Sequence, residues 1–210
     1  MCALPICIPL TEWQSNCYVI RASDDATEAV VLDPGGDIAV LSRALADLGL
    51  KTAGILVTHA DIDHIGGVAE LAAAAGVEVW APAGEAQLLR DGRTRTGRPI
   101  NAHDPEHPVA GGDTFSVAGV DFTVVDIPGH SAGHVGYVAD GQIFSGDLLF
   151  AGSVGRTDFV GGDWDALIAS ISSVATTYGR DLVVHPGHGG STTIGHELDM
   201  NPFLRELRTP

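Results

Sequence analysis

Long apolar runs are missing from this 210-residue chain. Nothing in it approaches the roughly 18 consecutive apolar residues that a membrane-spanning helix needs. A basic N-terminal segment leading into an apolar stretch is missing too, so no secretory signal is visible. Cysteine is scarce. Cys2, Cys7 and Cys17 all fall in the first strand region without a repeating spacing, which argues against a disulfide framework. Lysine and arginine total 11 against 27 acidic residues, a formal charge of −16. A chain so poor in positive charge lacks the basic face that phosphate backbones require, which argues against nucleic acid as a partner. The expectation is a cytoplasmic protein without membrane or nucleic-acid partners, its acidic surface serving solubility. What remains is 45% hydrophobic residues and 27 glycines, the composition of a compact, loop-rich enzyme with a proper core.

Most of the chemistry is concentrated in residues 58–67, Thr-His-Ala-Asp-Ile-Asp-His-Ile-Gly-Gly. Four metal-type ligands, His59, Asp61, Asp63 and His64, stand within this short run. The apolar residues 54–58 before it read as a buried strand. The Ala- and Leu-rich residues 67–75 after it read as a helix. The ligands therefore fall in a strand-to-helix turn, where α/β folds place their sites. Two carboxylates at i and i+2 repel each other unless a cation lies between them.

In order along the chain, residues 3–32 read as a hairpin or meander that ends at Asp33-Pro34-Gly35-Gly36. Asp33 is either an ordinary turn residue or one that orients a ligand from behind. Residues 37–48 form a helix by the spacing of Ile38, Leu41, Leu45 and Leu48. Val77 to Trp80 is a strand, and residues 82–92 a helix opened by Pro82. Asp91 to Gly112 has no hydrophobic periodicity and reads as a surface loop, with His103 and His107 in solvent. Strands follow at 114–117, 121–125, 135–138 and 142–145, the last two joined by an Asp140-Gly141 turn. A helix spans 163–177, a final strand 181–184, and the tail 195–208 is a helix broken near Pro202.

Three of the later strands end in further ligand-bearing turns: Pro128-Gly129-His130, Gly146-Asp147 and Pro186-Gly187-His188. With the first turn they make seven candidate ligands, all nitrogen or oxygen. Two metals take about three protein ligands each and keep a position for water, so seven, with one carboxylate shared, suffice.

These ordered motifs, T-H-x-D-x-D-H-x-G-G, P-G-H-S-x-G-H, S-G-D and P-G-H-G, resemble the metallo-β-lactamase superfamily of hydrolases. Gly155 to Phe159, Gly161-Gly162-Asp163, Thr193-Ile194-Gly195 and Asn201-Pro202-Phe203 are similar to its glyoxalase II-like branch. The resemblance implies an α/β fold, a four-layer αββα sandwich of two mixed sheets flanked by helices, in a single domain over 1–210. It implies His59, Asp61 and His130 on one metal, Asp63, His64 and His188 on the other, and Asp147 between them. His134 then lies beside the site, and His185 is a weaker candidate ligand. The family pattern has His where this chain has Asp61. That change brings a harder, anionic donor, so one or two divalent ions are expected, with zinc first and iron or manganese admitted.

The resemblance also implies the reaction: water acidified by a metal attacks an acyl carbonyl, with Asp63 orienting it and taking its proton. The substrate expected is a small acyl-thiol or ester. Glyoxalase II enzymes place a basic residue where this chain has Arg156, which reads equally as a substrate contact or a salt-bridged structural residue. Their aromatic hydroxyl two positions later is Asp158 here. Their basic C-terminal helical extension is not expected within these residues, which puts glutathione itself in question. A mononuclear iron enzyme resembling persulfide dioxygenases, a lactonase and a non-catalytic metal- or partner-binding module are the other readings.

Overall fold

The structure is a computed structural model, and it describes residues 3–207. Three separate apolar clusters dictate its layering. A strand whose alternate residues are both apolar must be covered on both faces, and several strands here have that property. In β2 (Ser15–Arg21) Cys17 and Val19 enter one cluster while Tyr18 and Ile20 enter another. In β3 (Glu28–Leu32) Ala29 and Val31 are divided from Val30 and Leu32 in the same way.

The first sheet runs in the order β1 (Leu4–Leu10), β2, β3, β4 (Lys51–Leu56), β5 (Val79–Pro82), β6 (His107–Val109). Its first two pairings are antiparallel and the remaining three parallel. The parallel steps are joined by crossovers carrying α1 (Ile38–Asp47), then α2 (Ile62–Ile65) with α3 (Val68–Ala75), then α4 (Ala86–Arg90). Leu41 and Leu45 of α1 and Leu71 and Ala72 of α3 cover the outer face of this sheet.

The second sheet begins with the meander β7 (Thr114–Val117), β8 (Val120–Asp126), β9 (Val135–Ala139) and β10 (Gln142–Gly146). The small ribbon β11 (Leu149–Phe150) and β12 (Ser153–Val154) intervenes, followed by α5 (Trp164–Tyr178). The chain then returns as β13 (Val183–Pro186), parallel to β10, and β14 (Thr192–Thr193) completes the sheet. Leu167, Ile171 and Val174 of α5 and Ile194 of α6 (Ile194–Met200) close its outer face. Phe122, Val124, Tyr137 and Phe144 meet Tyr18, Ile20 and Leu56 between the sheets. Three buried apolar seams thus separate four layers, helices, sheet, sheet, helices, and the expected αββα sandwich of two mixed sheets is present. A 3₁₀ segment, Pro202–Leu207, follows α6 and accounts for the expected break at Pro202.

Two local expectations are revised. Residues 82–92 contribute only Ala86–Arg90 as helix, because Pro82 closes β5 and lies ahead of the helix. The stretch 91–112 contains β6, where His107 stacks on Trp80 at 4.3 Å between ring centres, so His107 is not simply in solvent. His103 is mostly covered and lies 3.5 Å from Glu106. Cys7 and Cys17 are free thiols, as expected, while Cys2 lies outside the described residues. Among the described residues no helix is long and apolar enough to cross a membrane.

The sheet ends are pinned to the helices by close backbone approaches. Gly129, at φ 136°, lies directly against the start of α5: a methyl group there would sit 2.3 Å from the backbone nitrogen and Cα of Leu167. Leu167 is itself fully buried. Gly129→Ala therefore forces α5 away from the turn that carries His130. A destabilisation on the order of 2–3 kcal/mol is expected, read as a fall in melting temperature of roughly 5–10 °C. An unchanged melting temperature would show that this contact does not constrain the fold.

Candidate metal centre

Every ligand-type turn leaves the same edge of the sandwich, the carboxyl ends of β3, β4, β8, β10 and β13. The structure brings together all seven expected ligands. Three groups have ligand atoms within 4.8 Å of one another: His59, Asp61 and His130; His59, His64 and Asp147; and Asp63, His64 and His188. His188 Nε2 lies 3.2 Å from Asp63 Oδ2, and His64 Nε2 lies 3.5 Å from Asp147 Oδ1. Gly187 makes room for this approach, since a Cβ there would fall 2.2 Å from Asp147 Oδ1.

Hydrogen bonds behind the cluster fix which imidazole nitrogen faces it. Asp33 sits at φ 52°, a left-handed conformation uncommon outside glycine. It accepts from the Thr58 amide at 2.8 Å and, through Oδ2, from the Thr58 hydroxyl at 2.6 Å and His64 Nδ1 at 2.9 Å. With its proton given to Asp33, the Thr58 hydroxyl can only accept from His59 Nδ1, 2.9 Å away. His130 Nδ1 donates to the carbonyl of Arg156 at 2.8 Å. All three rings therefore turn Nε2 towards the cluster, the arrangement that ligand histidines adopt. Asp33 thus orients ligands from behind, the second of the two roles open to it.

The electrostatics match a cation site. His59 Nε2, His64 Nε2 and Asp147 Oδ1 are buried without any hydrogen-bond partner, a costly state unless a further ligand satisfies them. Burial opposes charge on His64, but the Asp147 and Asp33 carboxylates outweigh it and push its pKa up to about 10. Burial holds His59 well below its ordinary value. Burial also works against the charged form of Asp63, yet hydrogen bonding from His188 brings its carboxyl below the usual range. Asp61 is held lower still, because hydrogen bonds from His130 and Arg95 overcome its burial. The donor set and its unpartnered atoms fit a divalent ion on the Asp63, His64, His188 and Asp147 side. On the Asp61 side the fit is poorer, because a guanidinium already engages the ligands.

That guanidinium belongs to Arg95, from the stretch read as a surface loop. Its Nε and Nη2 donate to the two Asp61 oxygens at 2.5 and 2.7 Å, and Nη2 also lies 3.0 Å from His130 Nε2. Glu85 is a second residue that sequence reasoning passed over. Buried in α4's N-terminal turn, it accepts from the Ala60 amide, the Ser131 hydroxyl and the Gly133 amide, and so straps the first ligand turn to the second. Asn16 does the same for the His188 turn, donating to the carbonyls of Pro186 and Gly189 at 2.9 and 2.8 Å.

The remaining histidines are placed outside the ligand groups. His134 packs 4.8 Å from the His59 ring, beside the site. His185 bonds Ser191 and Gln142 and stacks on Phe144 at 5.0 Å, so it is a packing residue. Burial lowers its pKa to about 4. Arg156 forms a bidentate pair with Asp158 at 2.7 and 2.6 Å and lies over the Phe159 ring at 3.8 Å. It nevertheless lines a cleft of about 430 Å³ above the cluster, together with Trp13, Ile62, Thr96, Arg98 and Phe159.

Comparison with known proteins agrees with this geometry. The family model described as the Metallo-beta-lactamase superfamily matches residues 10–188. The chain is 36% identical over 205 residues to hydroxyacylglutathione hydrolase GloC of Haemophilus influenzae, covering 94% of this chain and 96% of that protein. Among solved structures it is similar to the BLEG-1 B3 metallo-beta-lactamase, with a TM-score of 0.88 at 39% identity over 96% of this chain and 100% of that one. It is also similar to TTHA1623, crystallised in a di-iron-bound form, with a TM-score of 0.77 at 36% identity over 95% of this chain and 100% of that one. With four strand-end turns converging on one ligand cluster and a family match across most of its length, this chain belongs to the metallo-β-lactamase superfamily.

Proposed function

We propose that the protein is a hydrolase that cleaves a small acyl-thioester with the help of a divalent cation, zinc foremost and iron or manganese as substitutes. The observation that carries this reading is the set of buried, unpartnered ligand atoms on His59, His64 and Asp147, the last of which lines an open cleft. A bound divalent cation supplies Lewis acidity and brings the pKa of water down from about 15.7 towards 7.

The chain's own groups do the rest. His64, His188, Asp63 and Asp147 hold the cation, and Asp33 keeps His64 and His59 in the tautomer that presents Nε2. Asp63, ionised and lining the cleft, orients the attacking water and takes its proton. Trp13, Ile62 and Phe159 offer apolar walls for an acyl or thiol stem. Arg98 brings positive charge to the same cleft in a chain of formal charge −16, which suits a substrate bearing an anionic group. The thioester class draws its support from the near full-length likeness to hydroxyacylglutathione hydrolase GloC. A second reading, β-lactam hydrolysis, draws on the likeness to the BLEG-1 enzyme. Both begin with attack of the same water on a carbonyl carbon.

Turnover of S-D-lactoylglutathione, a simple acyl-thioester and a chromogenic β-lactam by metal-loaded protein tests the substrate class. Thioester cleavage as the fastest reaction is expected; faster β-lactam cleavage would replace the thioester reading, and oxygen uptake with a persulfide would replace hydrolysis. Asp33→Asn keeps a residue that tolerates the left-handed backbone but cannot accept from both Thr58 and His64 with full charge. It should weaken metal affinity roughly 10–100-fold, measured by competition with a chelating dye; unaltered affinity would remove Asp33 from the ligand support. Asp147→Ala should lose metal and activity together, by more than the roughly 10–100-fold expected of an outer contact. Full activity with retained metal would refute the role given to Asp147.

A further inference from the structure

The loop between α4 and β6 places one side chain that the ligand pattern does not account for. Arg95 uses all five of its guanidinium N–H groups. Nε and Nη2 pair with Asp61, Nη2 also meets His130 Nε2, and Nη1 donates to the carbonyls of His130 and Val160, both at 3.0 Å. The Arg95 amide donates to the carbonyl of Ala60 at 3.1 Å, anchoring the loop to the first ligand turn. The side chain is only 5% exposed, and its guanidinium carbon lies 5.5 Å from the centre of the Phe159 ring. Leaving this position means breaking five hydrogen bonds at once.

We propose that the Arg95 guanidinium takes the place of one of the two cations of a binuclear centre, so that this protein holds a single divalent ion, on the Asp63, His64, His188 and Asp147 side. This rests on the metal-dependent reading above and goes further by fixing the number of ions and naming the residue that sets it.

Three features of the cluster carry it. First, His130 commits Nδ1–H to the Arg156 carbonyl, and its Nε2 is already flanked by Arg95 Nη2 at 3.0 Å and Asp61 Oδ2 at 3.1 Å. A ring nitrogen held between a guanidinium and a carboxylate at these distances is not free to face a metal. Second, both Asp61 oxygens are taken by the same guanidinium in the bidentate geometry that arginine and carboxylate favour. A histidine at position 61 could not make this pair, so Asp61 and Arg95 form one unit. Third, the charge beside Asp61 is already met. Arg95 already supplies the positive charge that pairs with Asp61, and a divalent ion on the same carboxylate would set two cationic centres against one buried anion. On the opposite side the ligand atoms of Asp63, His64, His188 and Asp147 meet no arginine or lysine. The unpartnered His59 Nε2 groups both with Asp61 and His130 and with His64 and Asp147, so it stands between the two sides.

The test counts metal and does not depend on turnover. Full-length protein is stripped with chelator, reloaded with excess zinc, passed through gel filtration and measured by plasma emission spectrometry. About one zinc per chain is expected for the wild type, and about two for Arg95→Ala and for the double variant Asp61→His with Arg95→Ala, which restores a neutral three-ligand set. Manganese-loaded wild type should give the electron paramagnetic resonance signal of an isolated ion, and the double variant that of a spin-coupled pair. Two tightly held ions in the wild type would overturn this inference while leaving the metal-dependent reading intact. A count that stays at one in both cooperatively folded variants would overturn it as well. Retention of no zinc at all would defeat both readings. If the variants do not fold, the wild-type count and its resonance signal decide alone.

Discussion

Negative charge is crowded into a small, largely buried space where Asp61, Asp63 and Asp147 face four imidazoles, and no pairing among these seven side chains satisfies them all. His64 Nε2 and Asp147 Oδ1 lie 3.5 Å apart, yet neither has a hydrogen-bond partner. Removing charged groups from water costs several kcal/mol per ion unless opposite charge is close by. The fold meets that cost in two ways. On one side a guanidinium is delivered by a loop; on the other, the ligand atoms are left facing one another for a cation.

The sandwich exists to hold that crowding still. Parallel strands end at one edge, so side chains far apart in sequence arrive there together, and three apolar seams keep the edge rigid. Behind the ligands, single buried polar residues tie one turn to the next. Asp33 joins β3 to the turn after β4, Glu85 joins that turn to the one after β8, and Asn16 joins β2 to the turn after β13. Each bond is made where water is excluded, so losing one partner leaves the other unsatisfied at about 1–3 kcal/mol. That coupling lets short loops position reactive groups with the precision of a core.

The clustering of these candidate ligands was legible in the sequence because metal chemistry demands particular donors at strand ends. Four motifs of imidazole and carboxylate beside glycine are hard to explain otherwise. The layering came with the family resemblance, and β2 and β3, each divided between two apolar clusters, bear it out. Arg95 was not legible. It sits 34 positions from Asp61 in a polar stretch with several other arginines, and nothing local distinguishes it from a solvated one. Glu85 and Asn16 were hidden for the same reason, acting across 25 and 170 positions. The strand β6 escaped notice because three residues containing a proline carry no periodicity. Asp61 offered one clue: an anion in place of the histidine of the resembling family invites a partner of opposite charge, and it found an arginine.

The most direct measurement is anomalous diffraction from crystals grown with zinc, with data collected on both sides of the zinc absorption edge. One peak within bonding distance of Asp63, His64, His188 and Asp147, with Arg95 still paired to Asp61, is the expected result. A peak of equal height among His59, Asp61 and His130, with Arg95 displaced, would contradict the account of how this cluster is neutralised. Zinc bound only at sites away from the strand ends would contradict the centre itself.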